Sequence, residues 1–380
     1  MLELIAAQGP VSRTQVATVT GMSKPTASVT LARLLDAGVV HEVGRSSGRK
    51  GPAAVLYGLN DRAGAVVAVD LSRTRMRVAV ADLLGQVRAR AEESTRRRSA
   101  STVIEQLGRL ARETAREAGL PWRSITTCVL GTPGVVSTDT GALRWAESLA
   151  GWSRPGIVDS LRRSLGTTVV VDNDVDLAAI GEQRSGVARG VRDFVFVWVG
   201  AGIGLGLVLD GRLYRGAHGA AGEIGYLPLG AARSARRRGQ FESWAGSEAL
   251  IRAARDAGLT GRLTVPALFG AARDGDRRAR RVIETEAARI ADAITAVVSV
   301  TDPELVVLGG EIGQQTDLLL PPIERRLSEV SPLQPPVVAS ALADDAVLHG
   351  ATVTAVDAAQ DLIFSEATES PAAVHASMRS

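Results

Sequence analysis

Lys24, Thr26, Ser28, Thr30 and Arg33 are the first residues of this sequence whose types and spacing could do chemistry. They lie on the faces left over by Ala27, Leu31, Leu34 and Leu35, which recur at i, i+4, i+7 and i+8 and predict one apolar stripe on a helix. An ammonium, a guanidinium and three hydroxyls on the solvent side of a helix suit phosphate oxygens and base edges. Ser23 precedes them as an N-cap, and Pro25 sits in the first turn, where a missing N–H costs little. Arg45, Arg49 and Lys50 then cluster in the Gly-rich stretch GRSSGRKGP, where they suit phosphates or a narrow minor groove. A second set opens at Asn173 and Asp174, which follow the apolar run Thr167 to Val171, so an amide and a carboxylate sit at the mouth of a strand. A carboxylate can accept from two vicinal hydroxyls through charge-assisted hydrogen bonds, so this set suits a polyol.

The first set needs a scaffold, and residues 1–60 predict one. Three helical segments are legible, the second opened by the capping-box spacing of Ser12 and Gln15 and running from Arg13 to Val19. Gly21 supplies a turn before the helix that Ser23 caps. Val39 to Val43 and Ala53 to Tyr57 read as two strands around the basic loop, a hairpin. Helix, tight turn, polar-faced helix and wing form the layout of a winged helix-turn-helix that reads double-stranded DNA. Charge agrees: the six bases and three acids of residues 1–60 supply +3, the whole formal net charge of the chain. A basic appendage on a neutral body fits a polyanion.

Composition bounds the rest. A chain of 380 residues suits two or three domains. Its mean hydropathy is +0.10, no apolar run approaches the roughly 20 residues that span a bilayer, and the first residues lack a secretory pattern. A cytoplasmic protein without a membrane role is expected. The single cysteine, Cys128, excludes an intramolecular disulfide and a cysteine-rich metal site.

After Asp61 strands alternate with helices. AVVAVDLS and RMRVAVADL flank a tight turn at Ser72–Thr74, and FVFVWVG and GLGLVLDG repeat the arrangement around GAGIG. Two such units predict a duplicated α/β architecture with a ligand cleft between its halves. Helices are expected near 101–118, 176–186, 243–257, 277–300 and 347–362, and a disordered tail over 366–380.

Seven segments in order, VDLSRT, GTPG, VVVDNDVD, VGAGIGLG, HGAAGEIGY, GQFES and VVLGGEI, make the chain resemble the ROK family (repressor, open reading frame, kinase). The resemblance implies an α/β, actin/hexokinase-like (ribonuclease H-like) fold of two lobes behind the winged helix. Residues 61–175 and 347–365 would form the first lobe, and 176–346 the second, carrying sugar binding and oligomerisation. It also implies either ATP-dependent sugar phosphorylation or sugar-controlled DNA binding. In the family's kinases the residue matching Asp174 is the general base for the sugar hydroxyl, and the one matching Asn173 binds a neighbouring hydroxyl. Glu223 and Glu242 match two further sugar contacts, the turn containing Gly134 offers backbone groups, and Ser148 stands where the family often has Asn.

Three departures matter. The family's Asp-x-Gly-Gly-Thr phosphate turn reads Asp70-Leu71-Ser72-Arg73-Thr74 here, so side chains crowd the place of two glycines. Its second turn reads Gly200-Ala201-Gly202-Ile203-Gly204-Leu205-Gly206, without the threonine hydroxyl and one glycine. Gly309 and Gly310 are retained, a pair also common at strand-to-helix turns. Positions of a frequent structural zinc read Tyr226, Arg233, Ala235 and Gln240, none a strong ligand, and His218 suits a pocket or hinge. The expectation is a sugar-responsive repressor without catalytic residues, cofactor or metal, binding operator DNA as a homodimer or homotetramer. The alternatives are an active sugar kinase with an accessory DNA-binding domain, and a regulator controlled by a protein partner.

Overall fold

The computed structural model describes residues 1–46, 53–96, 99–146, 149–230 and 239–368. They divide into two compact units, one of Met1–Leu130, Val158–Val171 and the chain from Ala351, the other of Gly131–Ile157 and Asp172–Gly350. The first sixty residues share the first unit with the strands that follow them. Residues 131–157 belong to the second unit, and the change of unit falls at 171/172.

The first unit begins with helices Leu2–Gln8, Arg13–Thr20 and Lys24–Asp36. The Ser12–Gln15 capping box forms, the Ser12 side chain accepting from the Gln15 N–H while the Gln15 side chain accepts from the Ser12 N–H at 2.8 Å. Gly21, at φ +70°, ends the second helix in the left-handed conformation that only glycine adopts cheaply. The Ser23 side chain caps the third through the Thr26 N–H. Ala27, Leu31 and Leu34 are completely buried, as the apolar stripe requires. Strands Val40–Arg45 and Val55–Leu59 pair antiparallel, and Val11–Ser12 adds to the other edge of the latter. The return strand starts two residues later than its sequence suggests. Tyr57 is buried beneath it, and its hydroxyl accepts from Arg13 Nε at 2.8 Å.

Each unit is built on a five-stranded sheet. In the first, Ala65–Leu71, Arg75–Asp82 and Val87–Ser94 form an antiparallel run, and Ile125–Thr132 and Thr168–Asn173 extend its other side. In the second, Phe194–Val199, Ile203–Leu209 and Arg212–Leu213 form the antiparallel run, while Leu305–Gly309 and Val337–Ala339 extend it in parallel. Numbered by rank, both sheets run 5-4-1-2-3, so the repeated strand–turn–strand signal does mark two copies of one topology. The strands are apolar on both faces because helices cover them, as in layered α/β proteins.

Three element expectations need correction. The helix expected over 243–257 is two, Gln240–Ala245 and Ser247–Asp256, broken at Gly246, whose φ and ψ are extended. Residues 366–368, expected in a disordered tail, belong instead to the last helix, Ala346–Thr368; 369–380 lie outside the described residues. Arg33, expected to be available on its helix, donates from Nη1 to the Thr368 carbonyl at 2.6 Å.

Close approach of backbones makes Gly350 sensitive. A Cβ there would strike the Leu177 carbonyl of the helix Asp174–Ser185. Gly350→Ala is expected to destabilise by about 1–3 kcal/mol, read from the urea midpoint.

Candidate functional site

On the third helix of the first unit, Lys24, Thr26 and Arg33 are exposed and Ser28 half-buried, with Arg45 exposed at the end of the hairpin strand. Arg49 and Lys50 lie outside the described residues. Ser23 and Thr26 are partly occupied, their hydroxyls meeting at 2.7 Å in the cap. Sequence reasoning missed Val29 and Val43, exposed by 55% and 50% on the same helix and hairpin. Their signal was an apolar residue off the stripe, and such a side chain suits a thymine methyl.

In the two turns that resemble phosphate loops, several groups are engaged within the protein. Asp70 pairs with Arg77 directly across the strands. Nε and Nη2 of Arg77 donate to the same Asp70 oxygen at 3.0 and 2.6 Å, and the two side chains are 10% and 8% exposed. Ser72 donates its N–H to the Arg75 carbonyl, and its hydroxyl accepts from the Arg75 N–H. In the second turn the N–H groups of Gly200 and Ile203 go to the Gly202 carbonyl and to Glu242. Gly204 and Gly206 lie under the helix Asp174–Ser185, where added Cβ atoms would meet Val175 at 2.9 Å and Ala179 at 2.6 Å. Gly309 and Gly310 form a strand-to-helix turn, Gly310 at φ +84°.

The second unit gathers carboxylates. Asn173 N-caps the helix Asp174–Ser185, its side-chain oxygen accepting from Val175 and Asp176, and its amide nitrogen donates to the Gly134 carbonyl at 2.9 Å. Gly134 must be glycine: at φ +107°, a Cβ would lie 2.7 Å from the Arg144 carbonyl. Asp174 opens the helix, half-buried, and accepts from the Val175 N–H. Glu223 neither caps a helix through its side chain nor pairs with an arginine among the described residues. Burial, then the charge of Glu242, pushes its carboxyl up to about 7. Glu242 accepts from the Ile203 N–H through one oxygen, and it lines a cavity of about 80 Å³ with Ala201, Ser243 and Arg252 among others. Ser148 lies outside the described residues. His218 is exposed, its Nδ1 3.6 Å from Asp139.

Three members of the cluster were missed. Asp172 forms an ion pair with Arg215 at 2.5 Å. Asp176, 5% exposed, is pushed up to about 8 by burial first, then by Asp172, with Arg215 opposing and Asp174 and Glu223 adding. The alternation of three aspartates in VDNDVD was the available signal for both acids; Arg215 carried none. Such an array, with some carboxyls ionised and others protonated, can both accept from and donate to hydroxyl groups.

A stability consequence follows from these acids and from Glu286. Glu286 is completely buried on the helix Arg277–Thr301, with Oε1 unpartnered among the described residues and Oε2 3.3 Å from Arg289. Burial pushes it up to about 8 against the opposing Arg289 charge. In the unfolded chain these acids ionise near pH 4, so between about pH 4 and 8 the folded state binds more protons and stability falls as pH rises. Calorimetry should show the melting temperature dropping from pH 5 to pH 9. Glu286→Gln should flatten that dependence.

Among the described residues, no helix is long and apolar enough to cross a membrane. The ROK family model matches residues 66–358. The chain is 23% identical to the xylose repressor of Caldicellulosiruptor bescii over 339 residues, covering 84% of each. It is 30% identical over 214 residues to a glucokinase of Halalkalibacterium halodurans, 52% of this chain and 64% of that one. A solved ROK family transcriptional regulator, described as a homologue of the E. coli MLC protein, superposes with a TM-score of 0.81 at 25% identity, covering 96% of both chains. The fold is thus α/β and actin/hexokinase-like, shared with repressors and hexokinases.

Proposed function

The chain belongs to the ROK family, and from that premise we propose that it is a sugar-responsive transcriptional repressor that has lost sugar phosphorylation. The observation that carries this reading is the helix Lys24–Asp36 with the hairpin after it: the helix buries Ala27, Leu31 and Leu34 and leaves Lys24, Thr26 and Ser28 on its outer faces, which supports a winged helix-turn-helix. Two copies, in a homodimer or homotetramer, would read a pseudo-palindromic operator with half-sites one or two helical turns apart. Asn173, Asp174, Glu223 and Glu242, with the Gly134 turn and Ser148, would bind the sugar. The buried Asp70–Arg77 pair supports the loss of catalysis, since it occupies the carboxylate of the first phosphate turn.

Footprinting of the purified chain with and without monosaccharides tests the reading. A protected palindrome whose occupancy changes with a sugar is expected, and no protection at any salt concentration would sink it. Arg45→Ala should weaken binding and reduce the log–log salt slope by about 0.9 for one lost phosphate contact. The second reading, an active kinase with an accessory DNA-binding domain, is favoured by the retained Asp174. Sugar-dependent ATP turnover that Asp174→Asn abolishes would establish it.

A further inference from the structure

Trp145 and Tyr226 form a ring pair in the second unit. Both are large aromatic side chains left exposed, by 53% and 41%, and their rings lie 5.9 Å apart, tilted by 51°. Trp145 also holds φ +55°, a left-handed conformation unfavourable for a bulky residue, which persists only where the surroundings impose it. Both of its neighbours are held: the Arg144 carbonyl and Ala146 lie where a Cβ on Gly134 would have to go, and the Ala146 N–H donates to Ser153 Oγ at 3.0 Å. Gly134 in turn accepts from Asn173. Tyr226 closes the short turn Ile224–Tyr226, its N–H donating to the Glu223 carbonyl at 3.1 Å. The two exposed rings are therefore tied through neighbouring backbone to Asn173 and to Glu223.

The charges around that cluster restrict what reaches it. Asp176 feels Asp172, Asp174 and Glu223 against one cation, Arg215, which Asp172 already engages. A phosphate ester brought here would meet carboxylates first. The exposed aromatic faces, by contrast, suit the C–H face of a pyranose, whose hydroxyl edge would turn to the acids.

Resting on the sugar-binding reading above, we propose that Trp145 and Tyr226 form an aromatic wall against which an unphosphorylated sugar ring stacks while the carboxylates take its hydroxyls. The wall selects for rings with an unbroken apolar face and against sugar phosphates.

Calorimetric titration of the full chain with glucose, xylose, N-acetylglucosamine and glucose 6-phosphate tests it. Trp145→Ala and Tyr226→Ala should each weaken the best neutral sugar about tenfold, and Trp145→Phe should retain most of the affinity. Trp145→Gly separates binding from folding: it relieves the positive φ, so it should melt no lower than the parent yet lose affinity as the alanine variant does. Glucose 6-phosphate should bind at least tenfold more weakly than glucose. Parental affinity in Trp145→Gly and Tyr226→Ala, with binding lost in Asp174→Ala, would remove the wall and leave the sugar reading standing. Tighter binding of the phosphate ester would also overturn the proposal. A parent chain that binds none of the four would take the sugar reading down, and the wall with it.

Discussion

Arg77→Ala is expected to destabilise the chain by about 3–5 kcal/mol, because it strands the Asp70 carboxylate in a site both residues have left nearly dry. That is a large part of the roughly 5–15 kcal/mol by which a folded domain exceeds its unfolded state. Urea unfolding at pH 7 should show a lower midpoint with an unchanged slope. The double variant Asp70→Asn, Arg77→Met should recover most of the loss, since it removes both charges at similar volume. A double-mutant cycle then isolates the pair. An Arg77→Ala protein within 1 kcal/mol of the parent would mean that water reaches Asp70, and the closed phosphate turn would lose its main support.

The second large effect concerns ligand response. Asp174→Ala and Glu223→Ala each remove an acceptor of charge-assisted hydrogen bonds, worth about 1.5–3 kcal/mol apiece. Sugar affinity should fall roughly ten- to a hundredfold per substitution. DNA binding without sugar should stay nearly intact, because both residues lie in the second unit while Lys24 and Arg45 lie in the first. A ligand shifts a conformational equilibrium only by its differential affinity for the two forms, so losing that affinity loses the response. Gel-shift titrations at fixed operator and rising sugar would show it. Full response after both substitutions would place the sensor elsewhere and favour control by a protein partner.

Local signals carried much of this structure. The Ser12–Gln15 spacing, Gly21, Ser23 with Pro25, and the apolar stripe are all near-neighbour effects, and each appears where its residues predict. The doubled sheet was legible because its first two strands are apolar on both faces and joined by short turns. The contacts that define the candidate site were not legible in the same way. Arg77 meets Asp70 and Arg215 meets Asp172 through pairings seven and forty-three residues apart, which no periodicity encodes. Asn173 was read as a sugar ligand from the family resemblance; that its side chain also caps a helix and holds Gly134 was not legible. Gly204 and Gly206 resembled a phosphate loop, but a helix lying over the strand explains them equally well. Glycine marks close approach without naming what approaches.

Cys128, completely buried in the strand Ile125–Thr132, is pushed by burial up to about 12. Since the thiolate is the reactive form, maleimides and other thiol reagents should find nothing to modify in the native chain near pH 7. The sequence thus arrives as its own cysteine-free background for site-specific labelling. A cysteine placed at exposed Val43 or Val29 would be the sole reactive thiol. In the proposed dimer, a spin label or fluorophore there would report the distance between the two hairpins, or the two helices, as sugar is added.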